Sequence, residues 1–252
     1  LAELERLDRI LAKVERERGE AALARDLYLE VRRAKRRIQF ANPVIDFSRV
    51  VLVDGPYPQG MEWEHQCRHR NGLLALPGGR LLVLEGLHPG GHVRKLAADK
   101  PGSFWRPDVS FDGQRVLYCY KAHDEKSFHL HETGVDGSGH RQLTFSDYDD
   151  LDPIYLPDGY IMFTTTRCNT YVRCSGYSYS YILGRCDGDG KNVYLISRGS
   201  EPDWLPSLLH DGRVIYSRWE YTDKAIWRIQ SLWTTNPDGT GTATYWGNQS
   251  VW

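Results

Sequence analysis

The sequence predicts a mainly β chain: a partial β-propeller of about four blades of four antiparallel strands, preceded by a helical segment. Two observations carry this. Asp-Gly pairs followed by β-branched and aromatic runs stand at Asp112-Gly113, Asp158-Gly159 and Asp211-Gly212, which are 46 and 53 residues apart. A second Asp-Gly follows in each unit, at Asp136-Gly137, Asp187-Gly188 and Asp238-Gly239, spaced by 51 and 51 residues. A period near 50 with two hairpin turns per unit is that of propeller blades. Asp-Gly suits a tight hairpin whose central residues need positive φ. The Pro residues in Arg106-Pro107-Asp108, Asp152-Pro153 and Pro202-Asp203 are expected to open the first, innermost strand of each blade. One such sheet cannot bury both faces, so neighbours must stack about an axis.

In chain order, residues 1–40 form the helical segment and 41–252 the incomplete propeller, with blades at roughly 50–102, 103–149, 150–200 and 201–249. Leu4, Leu7, Leu11 and Val14 recur at helical spacing, Gly19 breaks the run, and Leu23, Leu27, Val31, Ala34 and Ile38 line a second helix. Arg32, Arg33, Lys35, Arg36 and Arg37 form a basic run that could meet nucleic acid or acidic lipid; the competing reading is a solvated helix face. Asn42-Pro43 ends the helix, because the residue before Pro is pushed out of the helical region. Val50-Val51-Leu52-Val53 reads as a strand, and Gly72 to Leu84 as strand, turn, strand, a degenerate blade. Trp252 stands where Trp105 and Trp204 stand at the opening of a unit, and Leu1 is not Met, so the chain is expected to be an internal piece of a longer protein whose next blade is cut.

Formal net charge is −1, so no global field favours nucleic acid or an anionic membrane. No apolar run approaches the roughly 20 residues that span a bilayer. Five cysteines, Cys67, Cys119, Cys168, Cys174 and Cys186, fit neither a disulfide framework nor a repeated metal motif. Cys119 reads as a buried mid-strand thiol. A Cys168–Cys174 bond is the geometrically easiest disulfide, since both flank one loop of the middle blade; free thiols are the preferred reading.

His65, Cys67 and His69 alternate, so on a strand they share one face and could ligate zinc. No fourth ligand is identifiable, which favours surface or hydrogen-bonded histidines; His129 and His131 show the same alternation. Asp147, Asp149, Asp150 and Asp152 could hold calcium but lack the glycine and distal Glu of a calcium loop, so an acidic, solvated connection is preferred. Tyr177 and Tyr179, with Tyr171 and Tyr181, could line a cofactor pocket, against ordinary packing between blades. There is no nucleophile elbow, zinc-protease helix, dinucleotide fingerprint, phosphate loop or C-x-x-C-H haem motif.

Several stretches carry a family resemblance: Ala41-Asn42-Pro43-Val44-Ile45-Asp46-Phe47, Pro77-Gly78-Gly79-Arg80-Leu81-Leu82-Val83-Leu84-Glu85, Pro101 to Gly113, Asp211 to Tyr221 and Leu232 to Thr240. They resemble the hydrazine synthase alpha-subunit-like proteins abundant in planctomycetes, and the blades resemble those of the Tol-system propeller. The resemblance implies a bacterial, periplasmic or otherwise exported propeller protein. In the true alpha subunit it implies c-type haems and a tyrosine haem ligand joining nitric oxide and ammonium. Here Arg167-Cys168-Asn169-Thr170-Tyr171-Val172-Arg173-Cys174-Ser175 lacks the haem-attachment pattern, so no haem ligand is carried over. The expected function is a scaffold that binds a protein or small ligand at the propeller faces. The alternative is a component of a haem-dependent redox complex acting on small nitrogen compounds, and nucleic-acid binding ranks last. No catalytic residue is assigned, which leans away from an enzyme, and no cofactor is supported beyond zinc or haem as candidates.

Overall fold

The computed structural model describes residues 2–16, 21–55, 78–88, 90–97, 100–173, 179–220 and 230–247. The chain divides into two compact units, Leu1–Val50 with Val83–Arg94, and Val51–Leu82 with Lys95–Trp252.

In the first unit, helices α1 (Ala2–Arg16) and α2 (Ala21–Phe40) bury Leu7 against Leu27 and Ala34, with Ile10 at the margin. The positions are those of the helical repeat, and Arg6 pairs with Glu30 at 2.6 Å across the hairpin. Among the described residues no helix is long and apolar enough to cross a membrane. Strands β1 (Arg49–Asp54), β2 (Arg80–Glu85) and β3 (His92–Lys95) pair in the order β1-β2-β3. This sheet has three strands among the described residues, where four were expected; residues 56–77 lie outside them.

The second unit holds three four-stranded antiparallel meanders. The first comprises β4 (Gly102–Val109), β5 (Arg115–Ala122), β6 (His129–Gly134) and β7 (Arg141–Gln142). The second comprises β8 (Asp150–Tyr155), β9 (Ile161–Thr165), β10 (Ile182–Cys186) and β11 (Tyr194–Leu195). The third comprises β12 (Asp203–Leu208), β13 (Val214–Trp219), β14 (Gln230–Thr235) and β15 (Ala243–Trp246). The first strands are neighbours, β8 touching both β4 and β12. Strand alternation then feeds two cores. Ile161 and Phe163 of β9 pack with Leu117, Cys119, Leu130 and Leu151, while Met162 faces the other way, onto Val214 and Tyr216. The middle sheet is thus covered on both faces, and every residue of β8, β9 and β10 is buried.

Three local expectations are corrected. Pro202 does stand at the opening of its first strand, immediately before Asp203 of β12, but Pro107, Pro153 and a further proline, Pro206, do not open theirs. These three follow a bulge inside their strands, where register shifts at Trp105/Asp108, Leu151/Ile154 and Trp204/Ser207. The bulged residues Arg106, Asp152 and Leu205 have φ of 49°, 49° and 58°, and each precedes a proline, Pro107, Pro153 or Pro206. Pro206, rather than Pro202, is therefore the equivalent of the other two. A proline is tolerated there because a bulge leaves a residue out of the hydrogen-bond ladder.

The Asp-Gly hairpins are not two-residue turns with both residues at positive φ. Only the glycines take it, Gly113 at 68°, Gly159 at 86° and Gly212 at 86°. The aspartates act through their carboxylates instead: Asp112 accepts from the Gln114 N–H at 3.0 Å, and Asp211 from the Arg213 N–H at 3.1 Å. In the middle blade the second turn sits at Asp189-Gly190, not Asp187-Gly188. Gly190 has φ 85°, its N–H donates to the Asp187 carbonyl at 2.9 Å, and Asp189 accepts from the Lys191 N–H.

Neighbouring blades are also joined by polar contacts. Buried Glu132 of β6 accepts from Arg141 at 2.7 Å, from Arg115 at 3.3 Å and from the Tyr155 hydroxyl of the next blade at 2.8 Å. The Tyr155 N–H in turn donates to Asp108 at 2.8 Å. Replacing Tyr155 by Phe removes one hydrogen bond to a buried carboxylate and is expected to cost about 2 kcal/mol. That would lower the thermal midpoint by several degrees, measurable by calorimetry.

Candidate functional site

Each blade of the second unit has two ends. The Asp-Gly hairpins lie at one. At the other lie the connections between second and third strands and the crossings to the next blade. The crossing end gathers charged side chains that the strands themselves bury.

Asp150 opens β8 and is fully buried. It accepts a two-pronged contact from Arg167, at 2.9 Å from Nε and 2.7 Å from Nη2, and a third bond from the Thr165 hydroxyl at 2.7 Å. Asp203 opens β12 and repeats the arrangement with Arg218, at 2.7 Å and 2.9 Å. The Arg218 guanidinium also lies 4.6 Å from the Trp233 ring centre. Antiparallel pairing explains both pairs, because the end of the second strand returns beside the start of the first; Asp203 is directly opposite Arg218. Forked guanidinium–carboxylate pairs of this kind fix geometry, and they hold the loop ends rather than move protons. Next to them Asp149 accepts from the Phe128 N–H at 2.9 Å and the Tyr181 hydroxyl at 3.1 Å. Burial pushes its pKa up, and burial pushes those of Lys121 and His129 down.

From this end rises the connection that begins at Thr166. It is pinned at its base, where Thr166 and Asp149 exchange backbone and side-chain bonds at 3.0 Å and 2.9 Å, and by Ser180 N–H donating to Thr170 O at 2.7 Å. Tyr171 and Tyr179 bridge across it, their rings stacked at 4.9 Å and 18° with Tyr171 half exposed. Arg173 reaches Glu201 at 3.6 Å and the Ser200 hydroxyl at 3.3 Å, and the Thr170 hydroxyl donates to Gly199 O at 3.0 Å. Its described residues, up to Arg173 and again from Tyr179, thus form a braced arm carrying two aromatic rings and a guanidinium.

A second polar feature lies at the strand bulges. Arg106 and Asp152 occupy equivalent places in adjacent blades, with Nε 3.5 Å from Oδ1. Among the described residues neither carboxylate oxygen of buried Asp152 accepts a hydrogen bond.

The structure disperses most of the residues that the sequence grouped. Asp147, Asp149, Asp150 and Asp152 do not converge on a cation. Asp147 is exposed and pairs with Lys126 at 3.2 Å, while the other three are buried with separate partners, so the segment is neither a calcium loop nor a solvated connection. Tyr179 stands on the arm with Tyr171, whereas Tyr181 is packed in the core. Tyr177, Cys174 and the candidate zinc set His65, Cys67 and His69 lie outside the described residues. Cys168 is a free thiol that donates to Ser180 O at 3.3 Å, Cys186 is free and buried, and buried Cys119 donates to Trp105 O at 3.3 Å. His129 and His131 are both buried on β6, and among the described residues no three His, Cys, Asp or Glu side chains are placed to hold a metal. Sequence reasoning missed Arg167 and Arg218. Their signal was an Asp at the opening of β8 and of β12 with an Arg beyond or at the end of the next strand.

No family model and no curated protein sequence matches the chain. Solved structures do. Hydrazine synthase from Kuenenia stuttgartiensis superposes with a TM-score of 0.63 at 16% identity, over 80% of this chain and 32% of that one. A putative TolB from Agrobacterium tumefaciens gives 0.52 at 19% identity, over 66% of this chain and 56% of its own. The fold is that of a β-propeller. A puromycin hydrolase gives 0.50 at 17% identity over 67% of this chain. The chain spans about a third of the hydrazine synthase chain and little more than half of the TolB protein.

Proposed function

We propose that this chain is an extracytoplasmic propeller module that binds a protein or peptide at the crossing end of its blades. The observation that carries the reading is the braced arm: two stacked tyrosines and Arg173 held out from a base of buried, saturated charge pairs. Tyrosine and arginine on a pre-ordered support are the side chains that dominate binding energy at interfaces, because they bring contact area at low entropy cost. The resemblance to hydrazine synthase alpha-subunit-like proteins and the likeness in fold to a putative TolB support an exported location.

Selection of a phage-displayed peptide library on the purified protein tests it. Peptides that bind the chain are expected to lose at least about tenfold in affinity to a Tyr171→Ala/Arg173→Ala variant. Peptides that bind both equally would sink the site. The second reading, a component of a haem-dependent redox complex, draws on the likeness to hydrazine synthase over 80% of the chain. It requires a Soret band from the purified parent protein; a parent without one excludes it.

A further inference from the structure

The C-terminal end of α2 and the turn after it combine basic and exposed apolar side chains. Five of the six residues 32–37 are basic, in a chain whose formal net charge is −1. No carboxylate pairs with Arg33, Lys35 or Arg36 among the described residues. The other face of the helix and the turn after it carry exposed apolar side chains. Helix α1 covers Leu27 and Ala34, but Val31 and Ile38 continue the same stripe uncovered, Ile38 at 68% exposure. Phe40, Val44 and Phe47 follow within nine residues, Val44 at 81%.

The turn is ordered by its own bonds. The Ala41 N–H donates to Arg37 O at 3.0 Å, the Ile45 N–H to Asn42 O at 3.0 Å, and the Val44 N–H to the Asn42 side chain at 3.0 Å. Val44 is therefore held outward by a built turn. On the helix, Lys35 and Arg37 flank the stripe that carries Val31 and Ile38, at the angles from which long basic side chains can lie along apolar surface with their charge in a polar layer.

We propose that this end of α2 and its turn form a peripheral docking surface for an anionic phospholipid membrane. Both halves of the patch are then used. The basic run meets the headgroup charge, and Ile38, Phe40, Val44 and Phe47 enter the boundary between headgroups and acyl chains. A nucleic acid would satisfy the arginines but leave the aliphatic side chains in water, since its backbone offers charge and its bases offer rings.

The test is co-sedimentation of the 252-residue chain with sucrose-loaded vesicles of phosphatidylglycerol in phosphatidylcholine, against phosphatidylcholine alone. The chain is expected to sediment with the anionic vesicles and to be released by salt. Lys35→Gln/Arg37→Gln should weaken binding about tenfold or more, and Ile38→Ser/Val44→Ser by a similar factor. All four positions are exposed, so circular dichroism of both variants should match the parent. Absence of binding at low salt would overturn the proposal, as would equal binding to neutral vesicles. So would retention by Ile38→Ser/Val44→Ser of full vesicle binding, or a short DNA duplex that displaces the vesicles and binds that variant undiminished; those results assign the patch to an acidic polymer.

Discussion

Arg167→Ala is expected to destabilise the protein by about 3–5 kcal/mol, because it leaves the Asp150 carboxylate buried without its counter-charge. Asp150 is 0% exposed, and two of its three side-chain bonds come from Arg167. The remaining bond, from Thr165, cannot replace a charge. A buried ion pair is itself weak evidence of stability, since desolvating both groups offsets most of their attraction. The asymmetry is what the experiment reads. The paired change Asp150→Asn/Arg167→Met removes both charges and should recover most of the loss. Urea melts of the parent, both single variants and the double variant form a complete cycle. A single-variant loss below about 1 kcal/mol would mean that water solvates Asp150 and that the pair does not fasten the base of the arm.

How much of this was readable in the sequence depends on the range of the interaction. The blades were readable because their turns are local. Asp112, Asp158 and Asp211 repeat with spacings of 46 and 53, and so do the bulged residues Arg106, Asp152 and Leu205. One spacing thus governs turn and bulge together. The second set of turns was misread in the middle blade because Asp187-Gly188-Asp189-Gly190 offers two Asp-Gly pairs in succession. Only the three-dimensional register, with Asp187 N–H bonded to Lys191 O at 2.9 Å, decides between them. The proline was misread because local rules place it at a strand start or a bulge equally well, and the bulge is a property of two strands.

The candidate site was less legible. Its contacts join residues far apart in sequence: Asp150 to Arg167, Asp149 to Tyr181, Glu132 to Tyr155. Adjacent aspartates looked like one acidic group, yet the strand sends Asp149 and Asp150 to opposite sides, and the bulge separates Asp152 from both. Clustering in sequence therefore suggested a shared ligand where the fold gives each carboxylate its own cation or hydroxyl. The fasteners between blades are encoded in pairs that only the stacked sheets bring together.

The last expectation concerns acid. His131 is 5% exposed on β6, and among the described residues neither ring nitrogen has a hydrogen-bond partner. Its ring lies 5.8 Å from that of Tyr118, 5.3 Å from Tyr120 and 5.4 Å from His140. Burial, with His140 and His129 adding like charge, pushes its pKa down from 6.5 to about 3. The unfolded chain therefore takes up this proton before the native state does. The stability His131 confers is complete above the unfolded value near 6.5 and is lost as pH falls toward about 3. The slope is about 1.4 kcal/mol per pH unit for one such group. Asp149 and Asp108 oppose it, because burial raises their pKa values and favours the native state as they protonate. The parent's net acid profile mixes these contributions, so the informative quantity is a difference between proteins. His131→Phe keeps a ring in the Tyr118 stack and removes the titrating group. Urea melts between about pH 7.5 and 4.5 should show the parent losing stability more steeply than the variant, by about 1 kcal/mol per pH unit. Parallel profiles would place the His131 imidazole in contact with water, and the acid response would then belong to the other buried groups.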